Sequence, residues 1–213
     1  MKNHSKMIQP ARSPFAKPAK QRIPEASDKL FRIFGLRVGI GAIAHEANSN
    51  TETVLKYFGH QERLASMFVE SLIQQAEQYW GEVEAKDPNN PEGRLRFWLF
   101  FEEQRKDDPL GPERLLSRTA AELAGEHPKH PLLASIEQYW QAERRRVVSL
   151  CEATRLREPR ELADKLLLLV HGLRNERGAY GYHAPSRLLQ QAANDLMVAH
   201  GATSKPPLEW TND

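Results

Sequence analysis

The chain has 213 residues, of which 40% are apolar and 27% charged, and Lys and Arg exceed Asp and Glu by only two. This is the composition of an ordinary globular protein, long enough for one large domain or a small domain joined to a larger one. No run approaches the roughly 18 apolar residues of a membrane span, and the opening MKNHSKMIQPARSPF lacks a signal-peptide core, so a soluble, cytoplasmic protein is expected.

Lys2, Lys6, Arg12, Lys17, Lys20 and Arg22 all precede the first acidic residue, Glu25, while Pro10, Pro14, Pro18 and Pro24 interrupt any single long helix. Residues 1–20 therefore read as a mobile basic arm, either a solubilising tail or a segment that lies along phosphates. Ile40, Ile43, Ala44 and Ala47 then give a short helix one buried face. Asn48 tolerates the left-handed conformation that ends helices, and Asn50 is placed to cap the next helix through its side-chain oxygen. Val54, Leu55 and Phe58 supply the apolar face of that second helix. Two short helices around a tight polar turn form a helix-turn-helix, whose second helix enters a major groove.

Clusters at 87–93 (DPNNPEG), 107–113 (DDPLGPE), 125–131 (GEHPKHP), 157–159 (REP) and 178–186 (GAYGYHAPS) separate further segments of helical length, with no alternating β-branched run between them. Ile136, Trp140, Val147 and Cys151 mark one long helix, Leu162, Leu166, Leu169 and Leu173 a second, and Leu189, Ala193, Leu196 and His200 a third. The run LLLLV at 166–170 is apolar on every face, so its helix needs cover on both sides, one from the core and one from a second subunit. The lone Cys151 sits in an apolar-periodic run and reads as a buried thiol.

RFWLFF at 96–101 crowds aromatic side chains into less than two turns, so they cannot all face one core. Trp98, Phe101, Tyr139, Trp140 and His171 are candidates to line a pocket for an apolar or aromatic effector; packing of aromatics at helical spacing is the competing explanation. His127 and His130 have an H-x-x-H spacing, but the proline-bounded loop around them reads as a helix stop followed by a start, and no third ligand is near. No Glu-x-x-His pair, phosphate-binding glycine loop or nucleophile elbow occurs, so no catalytic residue, metal or cofactor is expected.

With LFRIFG at 30–35 followed by IAHEANSNTETVLKYFGHQERL at 43–64, the N-terminal region resembles the TetR family of transcriptional regulators. ERLLSRTAAEL at 113–123, the HP step, a long helix and ELADKLLLLVHGL at 161–173 are similar in order to that family's ligand-binding and dimerisation part, so the likeness spans about residues 21–200. Two positions depart from the family pattern. Leu55 stands where a Tyr commonly meets a phosphate, and Gln61 stands where a Lys commonly anchors one.

The expectation is an all-α chain with the basic arm at 1–20, a three-helix helix-turn-helix DNA-binding domain at 21–66, a larger helical effector-binding and dimerisation domain at 67–201, and a tail at 202–213. Thr51, Glu52, Thr53, Lys56 and Tyr57 are expected to face DNA. The resemblance implies a homodimer joined through its last two long helices, for which Leu166, Leu169, Leu189 and Leu196 are the candidates. It also implies a palindromic double-stranded operator and release of DNA by a small effector, acting as a repressor. The competing class is a helical-bundle dimer that binds small molecules or protein partners without specific DNA binding.

Overall fold

The computed structural model describes residues 17–86, 89–105, 108–175 and 188–205. Most of the basic arm, the 178–186 cluster and most of the C-terminal tail lie outside these residues. The described residues form helices and connecting turns, with no strand among them: α1 (Ala19–Phe34), α2 (Ile40–Glu46), α3 (Thr51–Phe58), α4 (Gln61–Ala85), α5 (Pro91–Gln104), α6 (Pro112–Glu126), α7 (Pro131–Ala153), α8 (Pro159–Asn175) and α9 (Leu188–Ala199).

Local chemistry sets these boundaries. Helices α5, α6, α7 and α8 each open on a proline, whose missing N–H falls where the first helical turn has no internal acceptor. Asn90 caps α5 by accepting from Gly93 N at 2.8 Å, and His130 Nδ1 accepts from Leu132 N at 3.2 Å at the start of α7. The His127–His130 pair is thus used as helix punctuation. One expectation needs correction: Pro24 does not interrupt the helix there but lies inside α1. It removes one backbone bond to Lys20, and the helix persists because Ile23, Ala26, Ser27 and Phe31 bury one continuous face. Lys20 and Arg22 are consequently helical rather than part of an arm.

Two apolar clusters are strung along α4. The first joins Ile23 and Phe31 of α1, Ile43 and Ala44 of α2, Val54 of α3 and the first half of α4 to Leu115, Leu116, Ala120 and Leu123 of α6 and Ile136 of α7. Phe31 and Phe68 meet at its centre with ring centroids 5.5 Å apart. Packing is therefore continuous across residue 66, where the sequence places a domain boundary. The second cluster gathers Trp80 and Val83 at the end of α4 with Trp98 of α5, Val147 and Cys151 of α7, Leu162, Leu166 and Val170 of α8, and Leu189, Ala193 and Met197 of α9. Cys151 is wholly buried, which pushes its thiol up to about 12 and leaves it inert as a nucleophile.

Helix α6 clamps the N-terminal helices to the rest. Arg118 Nη2 donates to the carbonyls of Phe31 and Arg32, both at 2.7 Å, at the C-terminal end of α1. One turn on, the Glu122 carboxylate accepts from the backbone amides of Leu36 and Arg37, each at 3.1 Å. Gly35, with φ +81°, is required here, because a Cβ would lie 2.6 Å from Glu122 Oε2.

Candidate nucleic-acid interface and charged interior

The turn between α2 and α3 is built as the residue types dictate. Asn48 takes φ 49°, and the Asn50 side chain accepts from Thr53 N at 2.8 Å to cap α3. Only Val54 of α3 is fully buried. Thr51, Glu52, Lys56 and Tyr57 are exposed and Thr53 is partly so, which leaves the helix projecting a broad polar face from the domain. Leu55 and Tyr57 are nearly half exposed, at 45% and 48%, on that same short helix. Gly39 serves as the N-cap of α2 rather than a residue of its interior, which removes its helix penalty.

Gln61 has a structural task in place of a phosphate contact. Its amide donates to the Leu36 carbonyl at 2.9 Å, tying the start of α4 to the turn after α1. Charge is distributed unevenly around this end of the molecule. Residues 1–66 carry a surplus of six positive charges, whereas residues 67–213 carry an excess of four negative ones. Lys2, Lys6 and Arg12, half of that surplus, lie outside the described residues; residues 17–66, which include α3, carry the other half.

The five aromatic and imidazole candidates do not converge on one pocket. Trp98 is buried in the second cluster, stacked on Trp80 with centroids 5.8 Å apart, while Tyr139 is buried in the first. Trp140, next to Tyr139, points about 100° away around α7 and is half-buried. Phe101 packs on Tyr79 at 5.7 Å, with the Arg105 guanidinium 3.5 Å from the Tyr79 ring centre. Only Tyr139 and His171 approach a common group, Glu143: Tyr139 lies one turn from it on α7, and His171 Nε2 is 3.2 Å from its Oε2.

That common group belongs to a buried charge cluster that the local motifs of the sequence do not single out. Arg174 of α8 grips Glu102 of α5 through two parallel bonds of 2.9 and 2.7 Å, and its Nη1 lies 2.8 Å from Glu143 of α7. Arg105 forms a second forked pair with Glu113 of α6, at 3.1 and 2.5 Å. Glu102, Glu113, Glu143 and Arg174 are all less than one-tenth exposed. Burial would raise the Glu143 carboxyl, but Arg174 and the His171 ring outweigh it and hold the group at about 2. For Glu102 burial prevails over the same guanidinium, and its carboxyl is pushed up. Burial disfavours the Arg174 cation, yet its carboxylate partners raise it well above an ordinary arginine. Burial also pushes the Tyr139 phenol up, and its hydroxyl has no hydrogen-bond partner among the described residues.

The dimerisation candidates divide in the same way. Leu166 and Leu189 are buried within the chain's own core, which leaves little of either side chain for a partner surface. Leu169 and Leu196 are half-buried against that core. The exposed apolar side chains of the last two helices are instead Leu168, at 75%, with Leu188 and Val198. The LLLLV run is covered on one side and bare at Leu168.

No protein-family model and no curated protein matches this chain, but solved structures do. A TetR-family transcriptional regulator from Streptomyces coelicolor superposes with a TM-score of 0.70 at 16% identity, covering 86% of this chain and 96% of that one. A TetR-type regulator from Streptomyces avermitilis gives 0.67 at 19% identity, with 86% and 98% covered. One from Haloarcula marismortui gives 0.66 at 19% identity, with 85% and 97% covered. The chain has the all-helical fold of TetR-family transcriptional regulators.

Proposed function

We propose that this protein is a sequence-specific DNA-binding transcriptional regulator, with α3 as its recognition helix. The observation that carries this reading is α3 itself: it is capped at its start by Asn50, anchored through Val54, and exposed at Thr51, Glu52, Lys56 and Tyr57. Lys56 is placed for a guanine edge or a phosphate, Tyr57 and Thr53 for phosphates, and Glu52 for a cytosine amino group. The positive surplus of residues 1–66 favours approach to a polyanion. A homodimer formed through the exposed faces of α8 and α9, around Leu168, would present two such helices to a two-fold symmetric operator. An effector bound in the larger helical part would release the DNA by favouring a spacing of those helices that does not fit it; repression is the sign that the family resemblance implies.

Selection from a library of randomised duplexes at near-physiological salt tests the reading. Emergence of a two-fold symmetric motif, with half-sites about one helical turn apart or a multiple of it, is the expected result. A library recovered without enrichment contradicts it and favours the bundle that binds no specific sequence.

A further inference from the structure

Helix α3 has two apolar side chains that its own domain uses and one that it leaves outside. Val54 is buried and Phe58 packs against the first apolar cluster, whereas Leu55, about 100° around the helix from Val54, is nearly half exposed. Its neighbours on the surface of α3 are Thr51 and Glu52, four and three residues earlier, and both are exposed. The Glu52 carboxylate has no hydrogen bond or ion pair among the described residues. We propose that Leu55 is a specificity-determining residue that reads a thymine in the major groove through the C5-methyl group of the base. The inference rests on α3 being the recognition helix proposed above.

The chemistry of this face decides what it meets. A duplex presents phosphates, sugars and base edges. An exposed carboxylate is repelled by phosphate, and an isobutyl group neither bonds nor neutralises one. Side by side on α3, Glu52 and Leu55 therefore suit the floor of the groove and not its phosphate walls. On that floor the thymine methyl is the apolar group that a leucine can cover; the other base edges offer donors and acceptors that it would leave unpaired. Attraction to the walls comes from Lys56 and from the positive surplus of residues 17–66. That surplus also separates the candidate occupants. A second copy of the chain would bring the same positive charge to this face, while a duplex brings the opposite one.

Geometry limits the reading to a short stretch. The eight residues of α3 span about 12 Å, so one leucine on it covers one or two base pairs. Its direction is set by the backbone, because Asn50 caps the helix and Val54 anchors it. Taking one methyl group out of water is worth about fourfold in affinity, which is the size of effect expected in each half-site.

The test uses the full chain and a duplex selected from the randomised library. Each thymine of the half-site is replaced in turn by uracil, which removes the C5-methyl and keeps every hydrogen-bonding group of the base. Affinity is read by fluorescence anisotropy at fixed salt. At one thymine the wild type should lose about fourfold per half-site. Leu55→Ala should bind the unaltered duplex more weakly by at least that factor and be indifferent to uracil at that position. Leu55→Met, which keeps an apolar side chain of similar volume, should retain the uracil effect. Circular dichroism checks that both variants are folded, which the exposure of Leu55 leads one to expect. A wild type indifferent to uracil at every position, or a Leu55→Ala variant as sensitive as the wild type, overturns the role of Leu55 and leaves the regulator reading standing. A library from which no duplex is selected overturns both together.

Discussion

The two ends of α4 sit in interiors of different kinds. Around its start, the three N-terminal helices close over an apolar cluster whose polar and charged residues lie mainly on the surface. Around its other end, α5, α7, α8 and α9 enclose an apolar cluster, and beside it α5, α6, α7 and α8 contribute a knot of carboxylates and guanidiniums taken out of water. An apolar core costs nothing in ion desolvation and fixes one shape; buried ions are costly unless fully paired, and they make their neighbourhood sensitive to any further charge. The apolar end carries α3, the proposed recognition helix, and the other end carries the buried charges.

The largest predicted effect lies in the charged interior. Arg174→Leu strands Glu102 without a cation, leaves Glu143 only the His171 ring, and should cost about 3–5 kcal/mol in chemical denaturation, more than its lost contacts alone explain. A far smaller loss would mean that the two interiors are energetically alike. In the apolar interior, Val54→Ala removes two methyl groups from the buried side of α3 and should cost about 2 kcal/mol. Asn50→Ala removes the cap of α3 and should cost about 1 kcal/mol by the same measurement. The smallest stability effect belongs to Lys56→Ala, within about 0.5 kcal/mol of wild type, although it should lower DNA affinity and reduce the salt slope by about 0.9 if Lys56 meets a phosphate.

Acid separates the two interiors as well. The Glu143 carboxyl is held at about 2 in the folded state against 4.5 for the free group, so its contribution is complete above pH 4.5 and is lost as pH falls toward 2. Glu102, whose carboxyl is raised, works in the opposite direction and partly offsets that loss. Tryptophan fluorescence, dominated in this region by the buried Trp80 and Trp98, should therefore report acid loosening that Glu143→Gln makes shallower. An unaltered acid transition in that variant would remove the cluster from the acid response.

The N-terminal end was legible in the sequence because its signals are local. Asn48, Asn50, Val54 and Phe58 lie within eleven residues of one another, and each acts on backbone or side chains nearby. The successive proline starts of α5 to α8 were legible for the same reason. The charge cluster was not, because Glu102, Glu113, Glu143 and Arg174 come from four helices, and each alone resembles a solvated charge on a helix. A single hint was available: all four fall on the apolar-facing side of their helices, which a count of charged residues at core positions would have caught. Leu166 and Leu168 show the remaining limit, since periodicity finds an apolar helix but cannot say which leucine the chain's own core takes.

The central claim is that the exposed face of α3, rather than the basic end as a whole, reads sequence. It is tested most directly by the ratio of affinities for a selected duplex and a scrambled one, measured at fixed salt for the wild type and for Lys56→Ala combined with Tyr57→Phe. The account predicts a wild-type ratio of about 10³ or more. In the double variant that ratio should collapse toward unity while binding to the scrambled duplex persists. A double variant that keeps the wild-type ratio would contradict α3 as the recognition helix.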